Sequence, residues 1–420
     1  MNEPIDQGVR NTLAITELLG HPEVKVYQGL PHSSTTDSFT VGEISAFVHG
    51  VNGIGDVEIP NSSRAPETES ASSSAKRSAS DRWLYSSTTT KGNGMTASDI
   101  LAALDRIQGT VCVVGSMNAD YTVVTERLPG PGETVTGGPL QVLPGGKSGN
   151  QAAAAARIGA TVHMFGAVGS DANAEFLLGA LREAGVDTQR VRHVPGASGT
   201  TVITVDANGE NTIVYSPGSN AQVSVDYIEA TRGELTSANV LGLCLESPIE
   251  TVTAAARIGH EAGVPVLLNN SPFTLVLPDE LVQLADILLV NEHEMAQMFG
   301  IAEPEDGDWS GFDWLAAADR MRELGFDRAI VTLGGDGSMV LDASCAVASV
   351  TRIAPVRVEA VDTTGCGDSF MGAVLAGLAS GFELREAAQL ASFVSAYAAT
   401  GLGAQASYGS AAQIRELFVP

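Results

Sequence analysis

The sequence predicts an α/β protein in three layers, a mainly parallel central sheet with helices on both faces plus a small β-ribbon lid. Short aliphatic runs at residues 111–114, 264–268, 287–290 and 329–333 alternate with helical patterns such as residues 151–158. Uninterrupted aliphatics are what strands covered on both faces require. The composition, 44% hydrophobic but only 5% aromatic, suits small-residue helices packed closely on branched aliphatic strands. Two other stretches, residues 133–142 and 200–215, alternate apolar and polar positions, the second around Asp206-Ala207-Asn208-Gly209, as antiparallel ribbons do.

A chain of 420 residues is longer than one hydrophobic core usually needs, so a main domain with an appendage is expected. Ser72-Ser73-Ser74 and Ser86-Ser87-Thr88-Thr89-Thr90 offer little apolar surface to offset the entropy of ordering them. The division expected is a leading segment at 1–72, a Ser/Thr-rich linker at 73–107 and the α/β domain at 108–420, with lid ribbons near 129–144 and 199–217. Pro129-Gly130-Pro131-Gly132 and Pro217-Gly218 supply hinge points for a lid.

The formal charge of −26 repels phosphate backbones and anionic headgroups, which excludes nucleic acid and membrane surfaces as expected partners. Cys112, Cys244, Cys345 and Cys366 form no C-x-x-C pair, so neither a disulfide framework nor a zinc site is expected. No apolar run reaches membrane-spanning length, and Met1-Asn2-Glu3-Pro4-Ile5-Asp6 lacks the basic and apolar regions of a signal peptide. The expected location is the cytoplasm.

The string most informative about chemistry is Asp362-Thr363-Thr364-Gly365-Cys366-Gly367-Asp368, which leads into a small-residue helix. Glycines at a helix start leave backbone N–H groups and the positive end of the helix dipole facing an anion. Asp368 in the first turn then reads either as a base for an attacking alcohol or as a helix cap.

Gly145-Gly146-Lys147-Ser148-Gly149-Asn150-Gln151 opens an alanine-rich helix, where glycine admits a polyhydroxylated ligand close to the backbone and Asn150 offers donor and acceptors; an ordinary glycine turn is the alternative. Gly115-Ser116-Met117-Asn118-Ala119-Asp120 follows the first buried strand, where open α/β sheets bind ligands; there Asn118 and Asp120 are either ligand groups or turn formers. Asn291 and Glu294 lie past another buried strand at a helix start, a position that capping also explains.

These strings, in this order over residues 108–420, resemble the ribokinase family, also called the PfkB carbohydrate kinases. Asn118-Ala119-Asp120 and Leu245-Glu246-Ser247-Pro248 resemble its ribose-phosphorylating members in particular. The resemblance implies a ribokinase-like fold and transfer of phosphate from ATP to the 5-hydroxyl of D-ribose. It assigns Asn118, Asp120, Gly146, Lys147, Asn150 and Glu246 to the sugar, Asp368 to the role of base, and Gly365, Cys366 and Gly367 to an anion hole. It assigns Asn291, Thr332, Gly334, Gly335, Asp336, Gly337, Gly367 and Ser392 to the nucleotide and Glu294 to Mg²⁺. Asp362, Thr364, Ala398, Gly401, Gly403 and Ser407 fall on a loop implied to hold K⁺.

The sequence departs from the family pattern at Cys366, where Ala is usual, and at Ser148-Gly149 in place of Gly-Ala; neither change removes a catalytic group. The alternatives carried forward are a kinase for deoxyribose, a nucleoside or another sugar, and a sugar-binding regulator, which the intact Asp368 disfavours. Ribbons with apolar alternation often pair between subunits, and a homodimer is expected.

The leading segment differs in kind. Arg10-Asn11-Thr12-Leu13-Ala14, His21-Pro22-Glu23-Val24-Lys25-Val26-Tyr27-Gln28-Gly29 and Val48-His49-Gly50-Val51-Asn52-Gly53-Ile54-Gly55 resemble an internal piece of the inosine-uridine nucleoside hydrolases. Only Asp6 precedes that region, whereas the resemblance calls for an aspartate cluster that binds Ca²⁺. A truncated, inactive remnant or docking element is therefore expected, rather than one half of a bifunctional hydrolase and kinase.

Overall fold

Branched aliphatic runs become strands because their side chains suit an extended backbone and, here, find cover on both sides. In chain order the strands are β1 (Thr110–Val114), β2 (Asn118–Val124), β3 (Gln141–Gly145), β4 (Thr161–Phe165), β5 (Ala167–Val168), β6 (Arg192–His193), β7 (Gly199–Val205), β8 (Asn211–Ser216), β9 (Val240–Leu243), β10 (Val266–Asn269), β11 (Ile287–Asn291), β12 (Arg328–Thr332), β13 (Ser338–Asp342) and β14 (Ser349–Ile353). The computed structural model describes residues 97–418, within one compact unit. The nucleoside hydrolase resemblance and most of the expected linker lie outside the described residues.

An eight-stranded sheet runs in the order β14-β13-β12-β11-β10-β9-β1-β4. The strands from β12 to β4 are parallel, and β13 and β14 are antiparallel additions at one edge. Successive side chains of a strand face opposite layers. Val111 and Val113 accordingly enter a core with helices α1 (Ala97–Ala102), α2 (Lys147–Arg157), α3 (Ala172–Glu183), α7 (Cys366–Ala379) and α8 (Leu384–Ala398). Cys112 and Val114 enter the opposite core with α4 (Ile249–Ala262), α5 (Glu292–Phe299) and α6 (Trp314–Glu323). This is the three-layer fold the sequence predicts.

A separate four-stranded sheet, β3-β2-β7-β8, forms the ribbon layer. Its β7–β8 hairpin matches the expected second ribbon, with Asp206 Oδ1 accepting the N–H groups of Asn208 at 2.8 Å and Glu210 at 3.0 Å in the turn. The first ribbon is only half as expected. Residues 129–140 are loop, and β3 pairs instead with β2, whose Asn118 and Asp120 the sequence leaves open as turn formers. Pro129, Pro131 and Pro139 cannot donate to a ladder, whereas Tyr121-Thr122-Val123-Val124 is rich in strand formers.

The linker expectation also reaches too far. Residues 97–106 are helical, and Leu101 and Leu104 are buried in the α1, α2 and α7 core. Their apolar spacing is short, and a Ser/Thr-rich neighbourhood obscures it.

Helices α2 and α7 pack side by side with almost no side chain between them. A Cβ at Gly372 would stand 2.5 Å from the Gln151 carbonyl oxygen and 2.8 Å from Ala154 Cβ. Alanine there would force the helices apart. Although alanine favours a helix by about 1 kcal/mol over glycine, Gly372→Ala is expected to cost a net of about 1–3 kcal/mol, read as a lower urea midpoint at unchanged slope.

Candidate active site

The carboxyl ends of the parallel strands lie along one rim of the sheet, and the chain turns from β1 through Gly115 and Ser116 into β2 at that rim. On β2, Asn118 and Asp120 are two residues apart and so share a face. Thr201, the register partner of Asp120 on β7, donates its hydroxyl to Asp120 Oδ1. Asn220 Nδ2 donates to Asn118 Oδ1 at 2.7 Å, while Asn220 Oδ1 accepts the Met117 N–H at 3.1 Å. Gly145 of β3 is the register partner of Asn118, and a Cβ there would come within 1.8 Å of Asp120 Oδ2. Only glycine leaves Asp120 its place.

Beyond β9, Glu246 turns back toward the start of α2. It accepts the Ser116 hydroxyl and, at 2.9 Å, the Lys147 N–H, and Tyr215 of β8 donates its hydroxyl to the Glu246 carbonyl at 3.1 Å. Gly146, with φ of 86°, starts α2 in a conformation closed to most residues, and no side chain caps that helix. Burial works against the Lys147 charge, but Asp368 and Glu246 outweigh it and hold its pKa above the ordinary value. Burial likewise pushes Glu246 up.

Asp368 sits in the first turn of α7, which begins at Gly365 with φ of 74° and carries no side-chain cap. Asp368 therefore does not act as a cap. Its Oδ2 accepts from Asn150 Nδ2 at 2.9 Å and its Oδ1 from Gln151 Nε2 at 3.3 Å. Burial raises its pKa, against the opposing pull of Lys147 and the two amides. The N-terminal ends of α2 and α7 thus meet around one buried carboxylate. Each is an uncapped, glycine-initiated helix end of the kind that attracts anions.

On the other side of the α7 start lies a cleft of about 300 Å³. Thr332, Gly334, Gly335, Gly337, Gly367 and Ser392 line it, six of the positions the resemblance gives to the nucleotide. Asp336 does not; its carboxylate turns to Arg357 at 3.4 Å. Val356, Arg357 and Phe370 also line the cleft and were not picked out in the sequence.

Asn291 and Glu294 form a reciprocal capping box, Glu294 N to Asn291 Oδ1 at 2.8 Å and Asn291 N to Glu294 Oε2 at 2.9 Å. The capping alternative is thus present, and burial raises the Glu294 pKa. Asp362 accepts the Thr364 and Gly403 N–H groups, each at 2.8 Å, one on each oxygen. These bonds outweigh burial and lower its pKa. Tyr408 closes the same loop onto the helix start, donating its hydroxyl to the Gly365 carbonyl at 2.9 Å.

Asp120, Lys147 and Glu246 therefore lie within charge range of Asp368, with Asn150 bonded to it and Asn118 on the β2 face of Asp120, while Cys366 and Gly367 line the cleft. Ser116, Thr201, Asn220 and Gln405 bond those side chains, Tyr215 bonds the Glu246 carbonyl, and all five were missed or unassigned in the sequence. Each lies far along the chain from its partner, and only the ladder register or the helix packing pairs them.

The model for the pfkB family of carbohydrate kinases matches residues 108–410. A ribokinase of Schizosaccharomyces pombe is 34% identical over 312 residues, which are 72% of this chain and 96% of that protein. A deoxyribokinase of Salmonella typhi is 32% identical over 308 residues, 73% of this chain and 97% of that protein. Among solved structures, the Arabidopsis thaliana ribokinase complexed with ribose and ATP superposes with a TM-score of 0.65 at 29% identity, covering 74% of this chain and 99% of that one.

Burial and the neighbouring Glu246 and Asp368 push Asp120 up to about 6, although its bond from Thr201 opposes them. The folded protein therefore keeps this proton to a higher pH than the unfolded chain does, and stability falls as pH rises toward about 6. Asp120→Asn, which removes the ionisation, is expected to gain about 1–3 kcal/mol over the parent at pH 8 and little at pH 4, measured by urea unfolding at each pH.

Proposed function

The chain belongs to the pfkB family of carbohydrate kinases, and from that premise we propose that it phosphorylates D-ribose at the 5-hydroxyl with ATP. The observation that carries this reading is a buried, amide-held carboxylate, Asp368, standing between a polar pocket and an uncapped helix start beside a nucleotide-sized cleft.

In this reading the sugar lies between the β2 side chains Asn118 and Asp120 and the α2 side chains Lys147 and Asn150, with Glu246 beside them. Asp368 takes the proton of the attacking hydroxyl as the bond to the γ-phosphorus forms and ADP leaves. The Gly365, Cys366 and Gly367 amides face the charge of the transferring group; preorganised donors of this kind contribute roughly 10²–10³ in rate. A raised pKa in the free protein suits a base that must accept a proton and release it afterwards.

The oxygen donors at the end of β11 fit Mg²⁺, which prefers carboxylate, phosphate and water oxygens. Glu294 would hold it, largely through water because Oε2 already accepts a backbone N–H. Bound there, the ion would neutralise phosphate charge. Thr364, Ala398, Gly401, Gly403 and Ser407 would hold K⁺, with Asp362 ordering that loop by accepting the Thr364 and Gly403 N–H groups.

A deoxyribose kinase is the second reading, favoured by a deoxyribokinase nearly as similar as the ribokinase. A homodimer belongs to the same proposal. Val202 and Val214, register partners on one face of the ribbon sheet, are 52% and 67% exposed, an apolar surface suited to a second copy.

Coupled ADP release measured with ribose, deoxyribose, fructose, adenosine and inosine is expected to be fastest with ribose; faster turnover of deoxyribose would select the second reading. Asp368→Asn keeps the shape of the base and is expected to lower kcat by about 10²–10⁴ with sugar affinity little changed. Near-parental turnover would remove Asp368 from this role. Replacing K⁺ by Na⁺ at constant ionic strength is expected to lower the rate, and equal rates would show that the loop holds no activating cation.

A further inference from the structure

Gln405 lies on the loop after α8, 4% exposed, and donates its side-chain N–H to Asn150 Oδ1 at 3.0 Å. Asn150 in turn donates to Asp368 Oδ2, and Gln151 donates to Asp368 Oδ1. This is a directed chain of amides ending on the carboxylate. An ionised Asp368 accepts only N–H, which orients Asn150 with its oxygen toward position 405; that oxygen needs a donor there. Reversing any member sets oxygen against oxygen.

The two glutamines accept a cost to keep this direction. Gln405 Oε1 and Gln151 Oε1 are buried without a hydrogen-bond partner among the described residues, although a buried polar atom is usually paired. The donated N–H is the property the packing retains.

We propose that Gln405 is a positioning residue: by fixing the amide orientation of Asn150, it holds Asp368 ionised and aimed at the hydroxyl to be phosphorylated. The proposal rests on the reading of Asp368 as the base. A glutamate at 405 would invert the chain, since its carboxylate accepts from Asn150 Nδ2 and turns Asn150 Oδ1 toward Asp368, favouring a protonated Asp368. The other groups facing Asp368 are Lys147 from α2, Cys366 from its own helix, Tyr408 from the loop, and Asp120 and Glu246 across the pocket. Both variants below leave all of these in place.

The test is the pH profile of kcat in Gln405→Glu and Gln405→Met, with Asp368→Asn measured alongside and folding checked by thermal unfolding. Gln405→Glu is expected to lower kcat on the order of tenfold or more and to move the acid limb of the profile up by about one pH unit, with KM for ATP unchanged. Gln405→Met keeps the volume and loses the donor, so a smaller fall and a smaller upward move are expected, and this variant decides the matter if the glutamate does not fold. A folded Gln405→Met with parental kcat and acid limb would overturn the proposal. Turnover retained in Asp368→Asn would instead overturn the base assignment beneath it.

Discussion

The close contact of α2 with α7 is the constraint on which the rest of this site depends. Asn150 and Gln151 reach Asp368 only because Gly372 lets the two helices meet at backbone distance. A carboxylate removed from water needs either a counter-ion or donors, and an isolated one would neutralise. Here neutral amides provide the bonds, while Lys147 provides charge from within the same pocket. The carboxylate is held by donors that can be oriented rather than locked in a tight ion pair.

Charge balance follows from the same geometry. Asp368, Glu246 and Glu294 place three carboxylates within charge range of Lys147, each of the three has its pKa raised, and so has Asp120 beside Glu246 and Asp368. Such a pocket suits an uncharged ligand rich in hydroxyl donors far better than a phosphorylated one. Anion-binding capacity lies instead at the start of α7, an uncapped helix end whose Cys366 and Gly367 line the cleft. Pocket and cleft thus divide the chemistry by charge, and Asp368 stands on the boundary.

Much of this was legible in the chain before folding was considered. Strands β1, β11 and β12, helix α2 and the β7–β8 hairpin follow from aliphatic runs, small-residue periodicity and an Asx turn, all local signals. The glycines at 146 and 365 and the Asp368 position were legible because a helix started by glycine writes itself in a few consecutive residues. The β2–β3 pairing was not, because strict alternation at 133–142 competes with three prolines whose effect on pairing depends on the partner strand. Nor were Thr201, Asn220 and Gln405, whose roles exist only after distant segments have met. Asn291 and Glu294 show how one motif serves two purposes, since the capping box that fixes the start of α5 also presents the carboxylate near Lys147.

The bond between Gln405 and Asn150 spans 255 residues of chain. The side chains from Ser116 to Glu246 emerge early in synthesis, Asp368 later and Gln405 later still. A growing chain released up to residue 400 therefore already contains Asn150 and Asp368, yet lacks the contact that Gln405 makes with Asn150. Order of synthesis thus leaves this closing amide contact among the last to become available.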